Sequence, residues 1–289
     1  MFESVEAFYR PATVRDALKL LHKGHGSARI VAGCTDVMLE RDRPVRFLID
    51  ITRAGLTYIR KRGARWAIGA TTTMSEIEAS PELHGVAGGI LAHAAAACGS
   101  IEIRNMATIG GNMANGSAAA DLAAPLLALN ADVTLASDRG RRKLPLSKYL
   151  PCVTAGHTRN SILVEVSFPD PPRGPYSGWS FQRLGRTALD ISLVNVAAGL
   201  QLDGRGRVKW ARIALGAAAP EALRMPEAEA LLAGRTLDHI LLAEATASVE
   251  RSVNPITDVR ATADYRREMS RVLTLRALEE CGLHAERAL

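Results

Sequence analysis

A stretch of glycines and small polar residues in the middle of the chain carries the first candidate chemistry. Residues 107–121 have the sequence ATIGGNMANGSAAAD, with Gly110 adjacent to Gly111 and a carboxylate, Asp121, at the end. Adjacent glycines let a backbone approach a ligand more closely than any Cβ allows. N–H groups exposed in this way bind anions, and the positive end of a following helix strengthens that binding. The stretch predicts a phosphate-binding segment, and the simpler alternative is a turn that requires glycine.

A second small-residue loop favours the phosphate hypothesis. Residues 30–37 have the sequence IVAGCTDV, a β-branched run followed by Gly33, a thiol and Thr35. This pattern is typical of a strand that ends in a tight loop presenting backbone amides and a hydroxyl. Two such loops suit a long ligand that contains a polyphosphate. Neither loop matches the G-x-G-x-x-G or G-x-x-x-x-G-K-[ST] fingerprint, so we expect neither a standard Rossmann site nor a P-loop site.

The two loops together resemble a known family. The runs AGCTD and TIGGNMANGSAAAD are similar to AGGTD and TIGGN-x-A-x-xSPxxD of the FAD-binding subunit of molybdenum hydroxylases. That family includes the medium subunit of carbon monoxide dehydrogenase and the flavin domain of xanthine dehydrogenase. The C-terminal runs FQRLGRTALDIS, RIALGAAAP and PITDVRATADYRR resemble the same family. Cys34 departs from the pattern, since a second glycine is frequent there, and a small thiol fits this loop if the local φ is negative.

The resemblance implies where an FAD molecule binds. It places the pyrophosphate at residues 108–112, with backbone N–H groups and the Thr108 hydroxyl as donors, and a sugar hydroxyl on the carboxylate of Asp121. Either Gln182 or Arg183 matches a flavin-proximal lysine of relatives, and Arg183 is preferred because it keeps the charge. The implied cofactor-binding residues are Ile30, Val31, Ala32, Gly33, Cys34, Thr35, Asp36, Val37, Cys98, Thr108, Ile109, Gly110, Gly111, Asn112, Asp121, Leu163, Arg183, Asp190 and Ile191.

Three of these residues have alternative roles. Asp121 precedes an apolar run with helical character, and Asp is a favoured N-cap residue. Leu163 lies in a core-like predicted strand, where packing explains it nearly as well as flavin contact. Cys34 is a candidate redox thiol, although no partner cysteine lies nearby in the sequence.

Composition narrows the class of protein. A chain of 289 residues with 47% hydrophobic content can bury a large core and predicts two or three subdomains. We find no apolar run of about 18 residues and no signal-peptide pattern, so we expect a cytoplasmic protein without a membrane span. The four cysteines form no C-x-x-C pair and the seven histidines show no ligand spacing. We therefore expect reduced thiols and no metal, and no residue stands out as catalytic.

The formal net charge of +6 raises nucleic acid as a partner. The basic residues are scattered over 41–46, 60–65, 139–143 and 260–271, and aromatics make up only 4% of the chain. So few aromatics cannot form a base-stacking surface. We expect no nucleic-acid partner and interpret the charge as a solvated basic surface, part of which faces an acidic partner protein.

Hydrophobic periodicity and turn signals predict an α+β protein. Predicted strands cover residues 28–32, 47–51, 56–60, 65–68, 132–136, 162–168, 179–184, 191–202 and 208–215. Predicted helices cover residues 13–24, 73–81, 89–98, 122–129, 223–232, 237–249 and 262–280. Residues 137–143 and 169–175 are predicted exposed connections. The resemblance implies a two-subdomain FAD-binding fold of the PCMH/vanillyl-alcohol-oxidase-like type, followed by a C-terminal three-stranded antiparallel sheet with helices.

The predicted divisions are 1–55 and 56–175 for the two FAD-binding subdomains and 176–289 for the C-terminal domain. The resemblance implies an electron-transfer subunit whose FAD receives electrons from [2Fe–2S] clusters of a small subunit and passes them to an external acceptor. A large subunit would carry molybdopterin, and the complex would be a dimer of heterotrimers. Two alternatives stay open: a stand-alone FAD-dependent oxidoreductase, and an assembly subunit without cofactor.

Overall fold

The computed structural model describes residues 5–39, 45–172, 174 and 176–286. The chain forms two compact units that are interleaved along the sequence. The first contains the chain up to Ile77, with Ser100–Gly116 and Ala131–Pro169, and the second contains Glu78–Gly99, Ser117–Asn130 and the chain from Asp170 onwards. The chain passes from one unit to the other inside the glycine-rich stretch, after Gly116.

A small parallel sheet begins the first unit. It contains β1 (Ala7–Tyr9), β2 (Ala28–Val31) and β3 (Phe47–Asp50) in the order β1-β3-β2, with α1 (Val14–Lys23) connecting the first two. The Thr13 hydroxyl caps α1 by accepting a hydrogen bond from the Asp16 N–H at 3.1 Å, as its position before the apolar periodicity predicts. Because all strands are parallel, the loops that follow them leave the same edge of the sheet.

A five-stranded antiparallel sheet completes the first unit. Its strands are β4 (Ile59–Arg62), β5 (Arg65–Gly69), β6 (Asp132–Ser137), β7 (Gly140–Pro145) and β8 (Ile162–Pro169), in the order β4-β5-β8-β6-β7. The predicted exposed connection at 137–143 is exposed at residues 138–143 and contains a turn at residues 138–139, but the prediction missed β7, which forms a hairpin with β6. Gly140, at φ 101°, makes that turn possible. All residues of β7 except Leu144 are exposed, and its run of charged residues concealed the strand.

Short helices surround this sheet. They are α2 (Met74–Glu78), α5 (Ile101–Met106), α6 (Ile109–Ala114) and α8 (Leu146–Thr154). The predicted capping box at Thr73 is confirmed, since Glu76 accepts from the Thr73 N–H at 2.7 Å. Pro81 does not simply end this helix, because it occupies the first turn of α3 (Pro81–His84), which Ser80 caps.

The second unit contains an antiparallel sheet with helices on both faces. Its strands are β9 (Ser177–Leu184), β10 (Val194–Leu202), β11 (Val208–Gly216) and β12 (Leu223–Arg224), in the order β12-β11-β10-β9. The three predicted strands are confirmed, and β12 adds a two-residue edge that is too short to predict. The helices are α4 (Ile90–Ala96), α7 (Ala123–Ala128), α9 (Pro226–Leu232), α10 (His239–Ser252) and α11 (Ala263–Glu286).

Side chains alternate between the two faces of the sheet, so the contacts of neighbouring residues show which helices pack on which face. Ile213 belongs to the hydrophobic core that β10 and β11 share with α10 and α11. Arg212, one residue away and on the opposite face, donates a hydrogen bond to Ala128 O at the end of α7. The central strand β10 is buried along its whole length, as helices on both faces require.

Some predicted segments extend beyond the described part of the chain. Residues 41–44 of the basic run and residues 173 and 175 of the proline run lie outside it. The divisions at residues 55 and 175 stay predictions. Within the described residues, no helix combines the length and apolar character that crossing a membrane requires.

Candidate functional site

We call the loop that follows β2, residues 32–36, the first loop, and three of its backbone N–H groups distinguish it. The N–H groups of Gly33, Cys34 and Thr35 make no hydrogen bond to any described residue. Cys34 lies in the left-handed region at φ 60°, so the condition of a negative φ is not met. Successive N–H groups around a left-handed residue form a concavity that binds anions. The first loop therefore has the donor set of a phosphate site.

The thiol in this loop is not activated. Partial burial and the nearby Asp50 carboxylate raise the pKa of the Cys34 thiol, so the neutral form predominates at neutral pH. Its Sγ lies 3.5 Å from Ala32 O, across its own turn. These surroundings do not support the alternative of a redox-active Cys34.

Backbone contact joins the first loop to residues 106–107, which directly precede the second glycine segment, residues 108–112. A Cβ on Gly33 would lie 1.8 Å from Met106 O and 3.1 Å from the Cα of Ala107. No side chain fits in that space, so only glycine permits this approach. The structure thus brings the two predicted loops together within the first unit.

The second glycine segment is the first turn of a helix. Thr108 caps α6, and its Oγ1 accepts from the Gly111 N–H at 3.1 Å. Ile109 N–H donates to Thr72 O at 3.0 Å, and Gly110 N–H donates to Ala70 O at 2.9 Å. The N–H groups that the glycine pair was expected to offer to a phosphate are thus already bonded within the fold.

The two adjacent glycines have different surroundings. A Cβ on Gly110 would meet Ala70 O at 2.5 Å and Ala70 Cβ at 2.7 Å, so close packing requires glycine there. A Cβ on Gly111 would meet only Thr108 Oγ1 at 3.1 Å, and Gly111 is exposed. Space for a ligand exists beside Gly111 and not beside Gly110.

The remaining first-unit candidate, Leu163, is a core residue. It is 7% exposed in β8 and pairs with Leu135 across the sheet, next to an irregularity in the register. Packing accounts for this position, as the alternative interpretation proposed.

In the second unit, Asp121 is the centre of a buried polar group that we call the Asp121 cluster, with Cys98, Arg183, Asp190 and Ser192. Its Oδ1 accepts from Ser192 Oγ at 2.6 Å and from Arg183 Nε at 3.2 Å. The Cys98 thiol hydrogen-bonds to the same carboxylate, and Arg183 Nη2 also donates to Asp190 O. A carboxylate has about four lone-pair sites, so acceptor capacity is left for another donor.

The electrostatics of Asp121 follow from its burial. Burial raises the pKa of its carboxyl, although Ser192 and Arg183 act in the opposite direction. Because the folded pKa lies above the unfolded one, the folded state favours the protonated form, and that contribution to stability is lost as pH rises through the raised pKa. Asp121 does not cap α7, whose N-cap is Leu122 without a side-chain bond.

Strand alternation separates the two candidate flavin neighbours in β9. Arg183 points to the Asp121 cluster, whereas Gln182 donates to Glu280 Oε2 at 2.7 Å and to Ser180 Oγ at 3.2 Å on the opposite face. Asp190 pairs its carboxylate with Arg186 at 3.0 Å, and the next residue, Ile191, is 55% exposed.

Sequence patterns missed two residues that support this cluster. Ser192 is fully buried and is the shortest contact of Asp121. Arg266 is 3% exposed and donates to Leu193 O at 2.7 Å and to Asp258 Oδ1 at 2.8 Å. Hydrogen bonds from Arg266 and from the N–H groups of Arg260 and Ala261 lower the pKa of Asp258 to about 2, against the effect of desolvation. Only the similarity of the run PITDVRATADYRR pointed to this region.

The described residues contain no group of three or more His, Cys, Asp or Glu side chains that could hold a metal ion. The geometry offers anion donors in one unit and a buried acceptor beside a cation in the other. Such groups bind and orient a ligand, and they supply no positioned general acid or base.

Two family models together match most of the chain. Residues 2–171 match the model described as the FAD binding domain in molybdopterin dehydrogenase. Residues 179–281 match the CO dehydrogenase flavoprotein C-terminal domain.

Known proteins are similar over their full length. The chain is 35% identical to the 6-hydroxypseudooxynicotine dehydrogenase complex subunit alpha of Paenarthrobacter nicotinovorans, over 95% of this chain and 93% of that protein. It is 31% identical to the carbon monoxide dehydrogenase medium chain of Afipia carboxidovorans, over 96% and 97%. A solved chain of carbon monoxide dehydrogenase from Hydrogenophaga pseudoflava superposes with a TM-score of 0.92 at 29% identity, over 98% of this chain and 99% of that one.

Proposed function

The chain belongs to the family of FAD-binding medium subunits of molybdenum hydroxylases, which are oxidoreductase complexes, and we propose that the first loop binds the FAD pyrophosphate. The observation that carries this proposal is the set of unbonded N–H groups at Gly33, Cys34 and Thr35. Hydrogen bonds from N–H groups to an ionised phosphate are shorter and stronger than those between neutral groups. This assignment moves the phosphate donors from the second glycine segment to the first loop.

The second glycine segment then supports the first loop and borders the ligand. Thr108, Ile109 and Gly110 fix the backbone that packs against β5 and β8, and Gly111 and Asn112 present the exposed side of α6. We propose that the exposed side of Gly111 lies against the cofactor. Ile30, Val31, Ala32, Asp36, Val37 and Leu163 belong to the same proposed region of the first unit.

In the second unit, we propose that Asp121 accepts a hydrogen bond from an FAD sugar hydroxyl. Ser192, Arg183 and Cys98 hold its carboxylate in a single orientation. We propose that Arg183, and not Gln182, supplies the flavin-proximal positive charge that the family resemblance implies, because Arg183 contacts Asp121 whereas Gln182 contacts Glu280. Asp190 and Ile191 are proposed to lie near the isoalloxazine, and the exposed side chain of Ile191 is available for that contact.

Bound FAD supplies the redox chemistry, since a flavin accepts electrons singly and donates them in pairs. We propose that the electrons come from [2Fe–2S] clusters in a small partner subunit, that a large subunit carries molybdopterin, and that an external acceptor receives them. A dimer of heterotrimers in the cytoplasm is the proposed assembly. The divisions 1–55, 56–175 and 176–289 remain our proposed domain limits.

The decisive experiment is to purify the chain at native stoichiometry with its co-eluting proteins and to measure absorbance, iron and molybdenum. We expect flavin bands in this chain and both metals in the complex. We also expect little substrate oxidation by the isolated chain. An active flavin-containing monomer, or a colourless subunit in an otherwise complete complex, would contradict the proposal.

The role of Asp121 is testable by a near-isosteric change. Asp121→Asn keeps an oxygen for Ser192 and removes the charged acceptor. Hydrogen bonds to charged groups contribute about 1.5–3 kcal/mol, so the Kd for FAD should rise about tenfold to a hundredfold. Fluorescence titration well below the melting temperature measures this, and Asp203→Asn, in the turn between β10 and β11, is the control. An unchanged Kd would exclude the sugar contact.

A further inference from the structure

A positively charged cleft lies in the first unit, outside the residues assigned to FAD. Its cavity of about 430 Å³ is bordered by the start of α1, the loop after β3 and the strand β4. Four exposed arginines line it, and we call this surface the basic cleft: Arg15, Arg60, Arg62 and Arg141. They come from α1, β4 and β7, so folding, and not local sequence, gathers the charges.

The charge of the basic cleft is not balanced from within the unit. Arg15, Arg60 and Arg141 have no carboxylate of the described chain within ion-pair distance. Arg62 lies 3.9 Å from Glu165, whose carboxylate also accepts a hydrogen bond from the Tyr58 hydroxyl at 2.9 Å. The nearby Asp16 is engaged by Lys19 and Thr13. Positive charges without counter-charges attract anionic partners and accelerate their association.

Parts of the basic cleft are held in place before any partner arrives. The Arg60 guanidinium lies 3.6 Å from the centre of the Tyr58 ring, and the Tyr58 hydroxyl is fixed on Glu165. Leu56, in the loop after β3, packs so closely on β5 that a Cβ on Gly69 would lie 2.0 Å from Leu56 O. A preformed surface loses less conformational entropy on binding.

The geometry selects the class of partner. Small-molecule sites bury most of their ligand and orient it with enclosed polar groups, whereas these arginine side chains are exposed. Nucleic-acid surfaces without sequence preference stack bases on aromatic rings, and Arg60 already covers the ring of Tyr58. Guanidinium groups pair well with carboxylates, and similar proteins are named as chains of multi-subunit complexes. An acidic protein segment fits these features best.

We propose that the basic cleft docks a segment rich in Asp and Glu from a partner subunit of the complex. The proposal rests on the proposed assembly and is independent of FAD binding. The test is the double variant Arg60→Glu/Arg141→Glu, compared with the native chain in association with its native partner subunits. Arg205→Glu, an exposed arginine in the turn between β10 and β11, is the matched control for a change of net charge.

We expect the Kd for subunit association, measured by sedimentation, to rise at least tenfold in the double variant and less than twofold in the control. The native association should weaken with added salt, and the double variant should lose most of that dependence. FAD content and circular dichroism should stay unchanged, which separates docking from misfolding.

If the native complex assembles, two results would overturn the proposal. One is a Kd for subunit association that is the same for the double variant and the native chain. That result would refute docking at the basic cleft and leave the proposed assembly intact. The other is a cleft-dependent affinity for oligo-dT or inorganic pyrophosphate without any effect on subunit association, which would assign the surface to another ligand. A native chain that never assembles would refute both the docking and the proposed complex, but not FAD binding.

Discussion

The two glycine segments of the first unit look alike in sequence and use their backbones in opposite ways. In the first loop, the N–H groups of Gly33, Cys34 and Thr35 make no bond to described residues. In the second segment, the N–H groups of Ile109, Gly110 and Gly111 are bonded to Thr72 O, Ala70 O and Thr108 Oγ1. Glycine content therefore marks close backbone approach in both, and donor availability in only one.

Some of these glycines are required for close packing of the backbone, and others leave space for a ligand. Gly33 and Gly110 have no room for a Cβ because another stretch of backbone occupies it. Gly111 has that room, and its solvent side is where a ligand can approach. A phosphate site is thus recognised by N–H groups that lack a partner and by space beside the Cα atoms, and not by the number of glycines.

The largest effect is expected for Gly33→Ala. The added Cβ would lie 1.8 Å from Met106 O, and backbone on both sides prevents relief by a side-chain rotation. Overpacking of this kind costs typically 1–3 kcal/mol, and here about 3 kcal/mol or more because both partners are backbone. Urea unfolding measures the loss, with Gly204→Ala, whose Cβ would meet nothing within 4 Å, as control. Equal stability of the two variants would refute the contact between the loops.

A smaller effect separates the adjacent glycines of α6. Gly110→Ala should destabilise the protein by about 1–2 kcal/mol, since the clash with Ala70 outweighs the helix propensity gained. Gly111→Ala should leave stability unchanged or raise it by up to about 1 kcal/mol, yet weaken FAD binding. Thermal unfolding and FAD titration of both variants provide the comparison. Reversed outcomes would mean that the assigned faces of α6 are wrong.

The smallest effect concerns the left-handed residue of the first loop. An L residue with a Cβ at φ 60° is disfavoured by about 1–2 kcal/mol, so Cys34→Gly should stabilise the chain by about 1 kcal/mol. Cys34→Ala retains the Cβ and is the matched control, with no gain expected. Both variants should bind FAD like the native chain, because the N–H group remains. An equal gain in stability for Cys34→Ala would mean that the thiol, and not the backbone conformation, destabilises the native loop.

Local signals predicted much of the fold. The cap at Thr13, the capping box at Thr73 and the apolar runs of β8, β9 and β11 correspond to single physical rules, and those elements are present. The strand β7 was missed because charged residues on an edge strand look like a loop. The left-handed φ of Cys34 was not predictable from local sequence, since the neighbouring Gly33 packs against Met106, far along the chain.

The residues of the candidate site were predicted from resemblance to the family's motifs, and not from physical rules such as capping or periodicity. Family similarity pointed to Asp121 and Arg183, and the structure shows that they are paired. Ser192 binds Asp121, and Arg266 binds the backbone of the next residue, Leu193, through contacts that span about 70 residues of sequence, which no local pattern can reveal. Which N–H groups are bonded is equally invisible in the sequence, since it depends on the acceptors Ala70 O and Thr72 O in the turn that follows β5.

Hydrogen exchange tests the difference between the first loop and the second glycine segment most directly, because it measures the protection of backbone N–H groups in individual stretches of chain. Mass spectrometry of the flavin-free and FAD-loaded chain would follow peptides that cover residues 32–36 and 109–112. We expect rapid exchange at 32–36 without FAD and strong protection with it, whereas 109–112 should be protected in both states. Protection by FAD that appears at 109–112 and is absent at 32–36 would contradict the assignment of the first loop as the phosphate site.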